Sequence, residues 1–421
     1  MKIIADLHIH SKYSRATSPK MEVVVLSEWA KIKGINLLAT GDIFHPEYVK
    51  ELKEKLIEDG SGVLKLRGTS NEAQGVKFVL SGEISCIYKH GEKTRRVHHL
   101  LFFPDFKSVD DFNKKLEERG CNIRSDGRPI VGLSSKEILK LLLEVNKEAF
   151  LIPAHAWTPW FAIFGSKSGY DSIEECFEEL SSEIFAIETG LSSDPEMNWR
   201  LSALDKITLI SNSDAHSPLN LGREANVFDM DEVTFAELKR ILKEKDKKKF
   251  LYTIEFYPQE GKYHFDGHKD CKFFCSPEES LKLKNICPVC QKSLVLGVDH
   301  RVVALADREL GFEPKNKIPF KSIVPLCEII AEIMQVGKQS KKVMKIYEQM
   351  LKNGGNEFNI LLELSREEIV KIGNEMIAEA VIRVRSRQVK AVPGYDGEFG
   401  KITVFDQDEL KKMKPRQVSL L

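Results

Sequence analysis

The sequence predicts an α/β fold: a seven-stranded barrel covered by helices, then a small cysteine module and a mainly helical basic region. Three observations carry this. Short, nearly continuous apolar runs recur through the first half; segments with apolar residues at three-to-four spacing lie between them; and histidines and acids gather at the ends of the runs. Continuous apolar strands alternating with amphipathic helices imply a parallel sheet buried on both faces.

Taken in order, the runs are 2–9, 36–43, 77–87, 98–103, 150–157, 185–190 and 208–214. Helical periodicity appears at 21–33, 48–57, 135–143, 171–180 and 235–245. A lysine run at 245–249 and a Pro- and Gly-bearing segment at 257–267 mark a change of organisation, so the first unit is expected to close near residue 245. Residues 246–300 hold the cysteine module and 301–421 the helical region. There, helices are expected at 326–336 and at 341–351, the second stopped by Gly354-Gly355. Ser365 with Glu368 forms a capping-box pattern that opens another helix, expected to run to about Val384.

At 421 residues, 42% hydrophobic and 30% charged, the composition is that of a soluble globular chain of two or three units. No apolar stretch reaches membrane-spanning length, and Asp6 arrives too early for a signal peptide, so a cytoplasmic protein is expected. The zero net charge hides an asymmetry. Residues 1–238 hold 29 Lys and Arg against 37 Asp and Glu, and residues 239–421 hold 34 against 26. An acidic half suited to cations thus precedes a basic half suited to a polyanion. Four of the eight cysteines cluster at 271–290, which in a cytoplasmic chain points to metal rather than disulfides.

The strand ends carry the chemistry. The first gives Asp6-Leu7-His8-Ile9-His10, whose period-two spacing puts Asp6, His8 and His10 on one face. The second ends Thr40-Gly41-Asp42, with His45 beyond. The third holds Glu83, the fourth opens with His98-His99, the fifth ends in His155, and the seventh ends Ser213-Asp214-Ala215-His216. In an α/β barrel the C-terminal strand ends converge on one face. Imidazoles and carboxylates in that number suit zinc, manganese or iron, and more than one ion. A carboxylate shared between neighbouring ions is the device by which a two-metal hydrolase activates water.

These motifs resemble the PHP (polymerase and histidinol phosphatase) family of phosphoesterases, over roughly residues 1–235. The resemblance implies a distorted (β/α)7 barrel with about two to three catalytic ions, Zn2+ or alternatively Mg2+ or Mn2+. It also implies ligand roles: His8, His10, Glu83 and Asp214 on one ion; Glu83, His99 and His155 on a second; and Asp42 with His216, and His45 in reserve, on a third. Asp6 would orient a histidine, and His98 is set aside in favour of His99. The family's strand-two Thr-Asp-His is here Thr40-Gly41-Asp42, a departure that bears on the third ion.

Cys271-x3-Cys275 followed by Cys287-x2-Cys290 is close to four-cysteine zinc spacing and implies one structural Zn2+, with His264 or His268 able to replace one thiolate. Arg383, Arg385, Arg387 and Lys390 form the densest basic string of the tail and are read as DNA contacts. The whole order, PHP unit, zinc module and basic helical tail, resembles the endonuclease Q family of DNA-repair nucleases. That resemblance implies damaged DNA as partner, with cleavage 5′ of uracil, hypoxanthine, xanthine or an abasic site. Arg223 would clamp the phosphate, and Trp157, Trp160, Phe161 and Phe164 would line a base pocket. The terminal segment 417–420 resembles the start of a sliding-clamp peptide. The competing readings are a PHP phosphatase of small phosphate esters and a catalytically idle nucleic-acid-binding module.

Overall fold

The computed structural model describes residues 1–68 and 75–413. Strands form at all seven apolar runs: β1 (Lys2–Asp6), β2 (Leu37–Ala39), β3 (Lys77–His90), β4 (Lys93–Phe103), β5 (Phe150–Pro153), β6 (Ala186–Glu188) and β7 (Thr208–Ile210). Shorter strands not expected from the sequence also form, among them β8 (Ala225–Asp229) and β9 (Phe250–Glu255), which extend the main sheet.

The sheet is mixed, not parallel throughout as expected. β1 pairs parallel with β2 and β2 with β3, but β3–β4 and β4–β5 are antiparallel. For β3 and β4 the reason lies in the connection: only Gly91 and Glu92 separate them. A parallel crossover needs a dozen or more residues, whereas a two-residue turn, here with Gly91 at φ +60, makes a hairpin. β6 and β7 form a separate parallel pair.

Side chains and single bonds link that pair to its neighbours. The Ala156 N–H donates to the Glu188 carbonyl at 2.9 Å, and the His10 N–H to the Ala215 carbonyl at 3.0 Å. One buried cluster draws on β1 to β8, including Ala5, Leu37, Val79, Phe102, Ile152, Ile210 and Phe228. Helix Phe235–Glu244, capped by the Thr234 side chain, adds Leu238, Ile241 and Leu242 to it. A second cluster takes in the apolar faces of helices Val23–Lys33, Phe106–Glu118 and Ser135–Val145.

The sheet does not stop at the expected boundary near residue 245. β8 pairs with both β1 and β9, and β9 takes strand Phe320–Ser322 on its far side. Farther on, helices Leu326–Met334 and Lys341–Gly354 form as expected. The Ser365–Glu368 capping box is present. The single helix expected to reach Val384 is two, Arg366–Ile372 and Glu375–Arg385, because Gly373 ends the first and the Asn374 side chain caps the second.

A buried ion pair ties this region to the first half. Lys33 Nζ lies 2.6 Å from Glu357 Oε2, and Glu357 also accepts from the Leu326 N–H and the Tyr347 hydroxyl. Removing one partner of a buried pair leaves an uncompensated charge and costs about 3–5 kcal/mol. Lys33→Ala should therefore lower the unfolding free energy by about that amount in guanidinium titrations, and Lys33→Met with Glu357→Gln should recover much of it.

Candidate metal centre

Glu83 stands at the middle of the convergent strand ends, fully buried on β3. Its Oε1 is 2.7 Å from His98 Nδ1 and 3.0 Å from His155 Nε2. Its Oε2 is 3.3 Å from His10 Nε2 and 3.8 Å from His8 Nε2. The two oxygens thus face two pairs of imidazoles. Asp214 closes the other side, with Oδ1 3.2 Å from His10 Nε2, 3.6 Å from His8 Nε2 and 3.6 Å from His216 Nδ1. Three groups could each hold an ion: His8, His10 and Glu83; Glu83, His98 and His155; and His10, Asp214 and His216.

The donor set fits metal. His8 Nε2, His10 Nε2 and Asp214 Oδ1 are buried and lack hydrogen-bond partners, lone pairs that a divalent cation would satisfy. Burial opposes charge here, but Glu188 and Asp214 outweigh it to raise the His8 pKa, and Asp214 and Asp42 do so for His10. Burial likewise opposes ionisation of Glu83, and His98 and Arg128 overcome it, holding the carboxyl well below its usual range. The carboxylates therefore hold positive charge at the positions a metal would take.

The backbone turns sharply to aim these groups. Asp42, His155 and Asp214 all have left-handed φ, at +46, +29 and +47. Such strain gathers at functional sites. Gly41 and Gly190 leave room beside them: a Cβ would lie 2.4 Å from the Ile9 carbonyl at Gly41 and 2.7 Å from His155 Cβ at Gly190.

Several expectations are corrected. His98, not His99, meets Glu83 and His155. In the β3–β4 register His98 lies opposite Ser85, on the face shared with Glu83, while His99 lies opposite Ile84. His99 instead bonds Ser135 Oγ at 2.8 Å beside Phe177, and burial lowers its pKa to about 3.

Asp42 orients rather than joins a cluster. It takes contacts from His10 Nδ1 at 3.0 Å and from the Ser11 N–H and hydroxyl at 2.6 Å each. Its expected partner His216 does reach the centre, through Asp214. His45 is elsewhere, with Nε2 3.1 Å from the Arg124 carbonyl and its ring stacked on Tyr13. Asp6 orients no histidine. It accepts from the Ser213 and Gly222 N–H groups, and burial pushes its pKa up to about 6.

The residue that orients His8 is Glu188, with both oxygens 3.0 Å from Nδ1. Glu188 also accepts from Asn212 Nδ2 at 2.8 Å and the His155 N–H at 2.7 Å. Sequence reasoning missed it, although it lies inside the sixth apolar run and is the last residue of β6. Arg128, 2.9 Å from Glu83 Oε2, was also missed. It lies in a polar loop that carries no strand signal. Arg223 is no free clamp: Nε and Nη2 donate to the Ser213 and Asp214 carbonyls.

The aromatic residues divide. Trp157 and Phe164 are buried against each other, with Trp157 Nε1 donating to Asn198, so they are core. Phe161 packs 4.6 Å from the His98 ring, and Trp160 is 37% exposed at the edge of Tyr263. In the tail, Arg383 is spent on Glu379 and Glu409, and Arg385 on the Ile360, Leu361 and Leu364 carbonyls. Arg387 pairs with Glu196. Lys390 contacts Asp406 yet stays 68% exposed. The clamp-like segment lies outside the described residues.

In the cysteine module, His268, Cys271, Cys287 and Cys290 gather their ligand atoms within 4.8 Å of one another. Cys275, expected as a ligand, stands outside this group. It is buried on the strand Phe273–Cys275 near Ser280, and burial raises its pKa to about 11. Burial would raise Cys287 as well, but the Cys290 and Val289 N–H groups aimed at its sulfur bring its pKa below the ordinary value.

Fold and site together define an α/β protein with clustered histidines and carboxylates suited to divalent ions. Residues 325–388 match the family described as MJ0043 C-terminal domain. The lesion-specific endonuclease PfuEndoQ of Pyrococcus furiosus is 33% identical, superposes with a TM-score of 0.84, and is matched over 98% of this chain and 100% of its own. An endonuclease Q solved with a 27-mer duplex bearing an abasic lesion at its active site is 34% identical, also with a TM-score of 0.84, over 98% of each chain. The uncharacterized protein YqxK of Bacillus subtilis is 28% identical over 95% of this chain and 99% of its own. The uncharacterized protein MJ0043 of Methanocaldococcus jannaschii is 32% identical over 260 residues, 60% of this chain but only 32% of that protein. The chain belongs to the endonuclease Q family.

Two outcomes check the geometry. Glu188→Gln should weaken metal binding at His8 by about 10–100-fold in calorimetric titration, because the partner that fixes a histidine ligand tunes its affinity. In the small module, His268→Ala should release zinc to a chromogenic chelator, whereas Cys275→Ala should keep its zinc at the parent stoichiometry.

Proposed function

We propose that the chain is a metal-dependent DNA-repair endonuclease that cuts the phosphodiester 5′ of uracil, hypoxanthine, xanthine or an abasic site. The observation that carries this is Glu83, whose two oxygens face His8 and His10 on one side and His98 and His155 on the other. The abasic duplex bound by the related endonuclease Q supports the substrate.

On this reading residues 1–245 are a PHP-type barrel, 246–300 a zinc module and 301–421 a DNA-facing tail, with β9 and strand Phe320–Ser322 adding to the sheet of the first. His8, His10, Glu83 and Asp214 would hold one ion and Glu83, His98 and His155 another. A third would sit by Asp214 and His216, because the one free nitrogen of His10 serves the first. Bound there, the ions would polarise the phosphate and lower the pKa of a water. The chain's own part is to hold the ligands: Glu188 fixes His8, Asp42 fixes His10, and Arg223 steadies the loop that carries Asp214. Phe161 and the half-open Trp160 are the base-stacking candidates, and Lys390 is the tail's contact to phosphate.

Incubating the metal-loaded protein with labelled duplexes that each carry one lesion should give a single nick 5′ of it and none in undamaged DNA. Asp214→Ala should lower nicking by at least about 10³-fold while duplex affinity stays within a few-fold of the parent. Absence of a lesion-dependent nick would sink the reading, and turnover of a chromogenic phosphate monoester alone would favour a small-ester phosphatase.

A further inference from the structure

The centre contains one cation that ligand chemistry does not explain. Arg128 Nη1 lies 2.9 Å from Glu83 Oε2, the oxygen that also faces His8 and His10. Glu83 is fully buried, whereas the Arg128 side chain is 31% exposed, so the guanidinium reaches the centre from its open side.

The backbone around Arg128 is pinned to the elements that build the site. The Gly127 N–H donates to the Tyr13 carbonyl, and a Cβ at Gly127 would lie 2.4 Å from Asp42 Oδ2. On the other side the Ser85 N–H donates to the Pro129 carbonyl, and Ile130-Val131 pairs with Ser85-Cys86 of β3. Among the described residues no other Lys or Arg is ion-paired with Glu83, Asp42, Glu188 or Asp214.

A guanidinium whose carboxylate partner also serves two divalent ions must share that negative charge with them, and an incoming anion relieves the competition. A phosphodiester supplies that anion, and the planar fork of Arg matches two of its oxygens. We propose that Arg128 is the phosphate-binding cation of the centre, donating to a non-bridging phosphate oxygen and stabilising the charge that builds there in the transition state. This rests on the phosphodiesterase reading above. In the balanced step, the oxygen of water bonds to phosphorus and loses its proton to solvent. The bond from phosphorus to the departing deoxyribose oxygen breaks, and that oxygen takes up a proton. Arg128 keeps all of its own protons throughout.

The test uses the full-length, metal-loaded protein and probes independent of any lesion: inorganic phosphate binding by calorimetry and turnover of bis(4-nitrophenyl) phosphate. Arg128→Ala should keep the parent metal content, bind phosphate at least about tenfold more weakly, and lose about 10²–10³-fold in kcat for the diester, the scale of a lost charge-stabilising donor. Arg128→Lys should recover part of the phosphate affinity, and added guanidinium should restore part of the alanine variant's turnover where equimolar sodium does not. Parent-like phosphate affinity and turnover in Arg128→Ala would overturn the assignment. So would a loss of turnover that tracks a loss of metal, or a parent protein that neither binds phosphate nor cleaves the diester. Arg128-dependent diester cleavage without nicking at uracil, hypoxanthine, xanthine or abasic sites would uphold Arg128 and remove the lesion specificity.

Discussion

A carboxylate taken fully out of water must be met by positive charge and hydrogen-bond donors, and at Glu83 that requirement organises everything around it. Four imidazoles and one guanidinium meet its two oxygens. They come from the chain just past β1 and just past β5, from β4, and from the loop before Ile130-Val131, so no one element could form the centre by itself. Holding them together takes a buried cluster to which β1 to β8 all contribute, with helix Phe235–Glu244 packed into it. The left-handed backbone at Asp42, His155 and Asp214 is strain that this packing sustains.

Around that centre runs a second set of acids that touch histidines without facing the open ligand atoms. Glu188 fixes His8 through Nδ1, and Asp42 fixes His10 in the same way. In both rings Nε2 is thereby left without a partner and turned inward. The division into acids that orient histidines and acids that face the candidate ion positions would give rigid ligands without crowding a bound cation. Asp6 has a third use, tying the end of β1 to the loop that carries Asp214.

The basic half of the chain spends much of its charge on itself. Arg385 ends on three backbone carbonyls, and Arg383 and Arg387 are matched with glutamates. A run of arginines in sequence therefore measures how a helical region is fastened as much as what it can bind. The cation that matters most for an incoming phosphate lies in the acidic half, in a loop without any charge run.

The sequence by itself determined which residue types meet and roughly where. Apolar runs located all seven strands, and the histidines and acids on or beside six of them located the chemistry they share; the capping box at Ser365 and the glycines after Leu351 marked helix ends, because these signals are local. The tertiary structure alone decided between neighbours. His98 and His99 differ by one position in a strand, and only the pairing with β3 says which faces Glu83. Asp42 and Glu188 are both acids at strand ends, and whether an oxygen points at a metal site or at the back of a histidine depends on contacts far apart in sequence. Cys275 keeps zinc-module spacing, yet the pairing of its strand with Asp266–His268 leaves His268 among the three other sulfurs instead. In each case the spacing fixes a candidate set, and long-range packing selects the member.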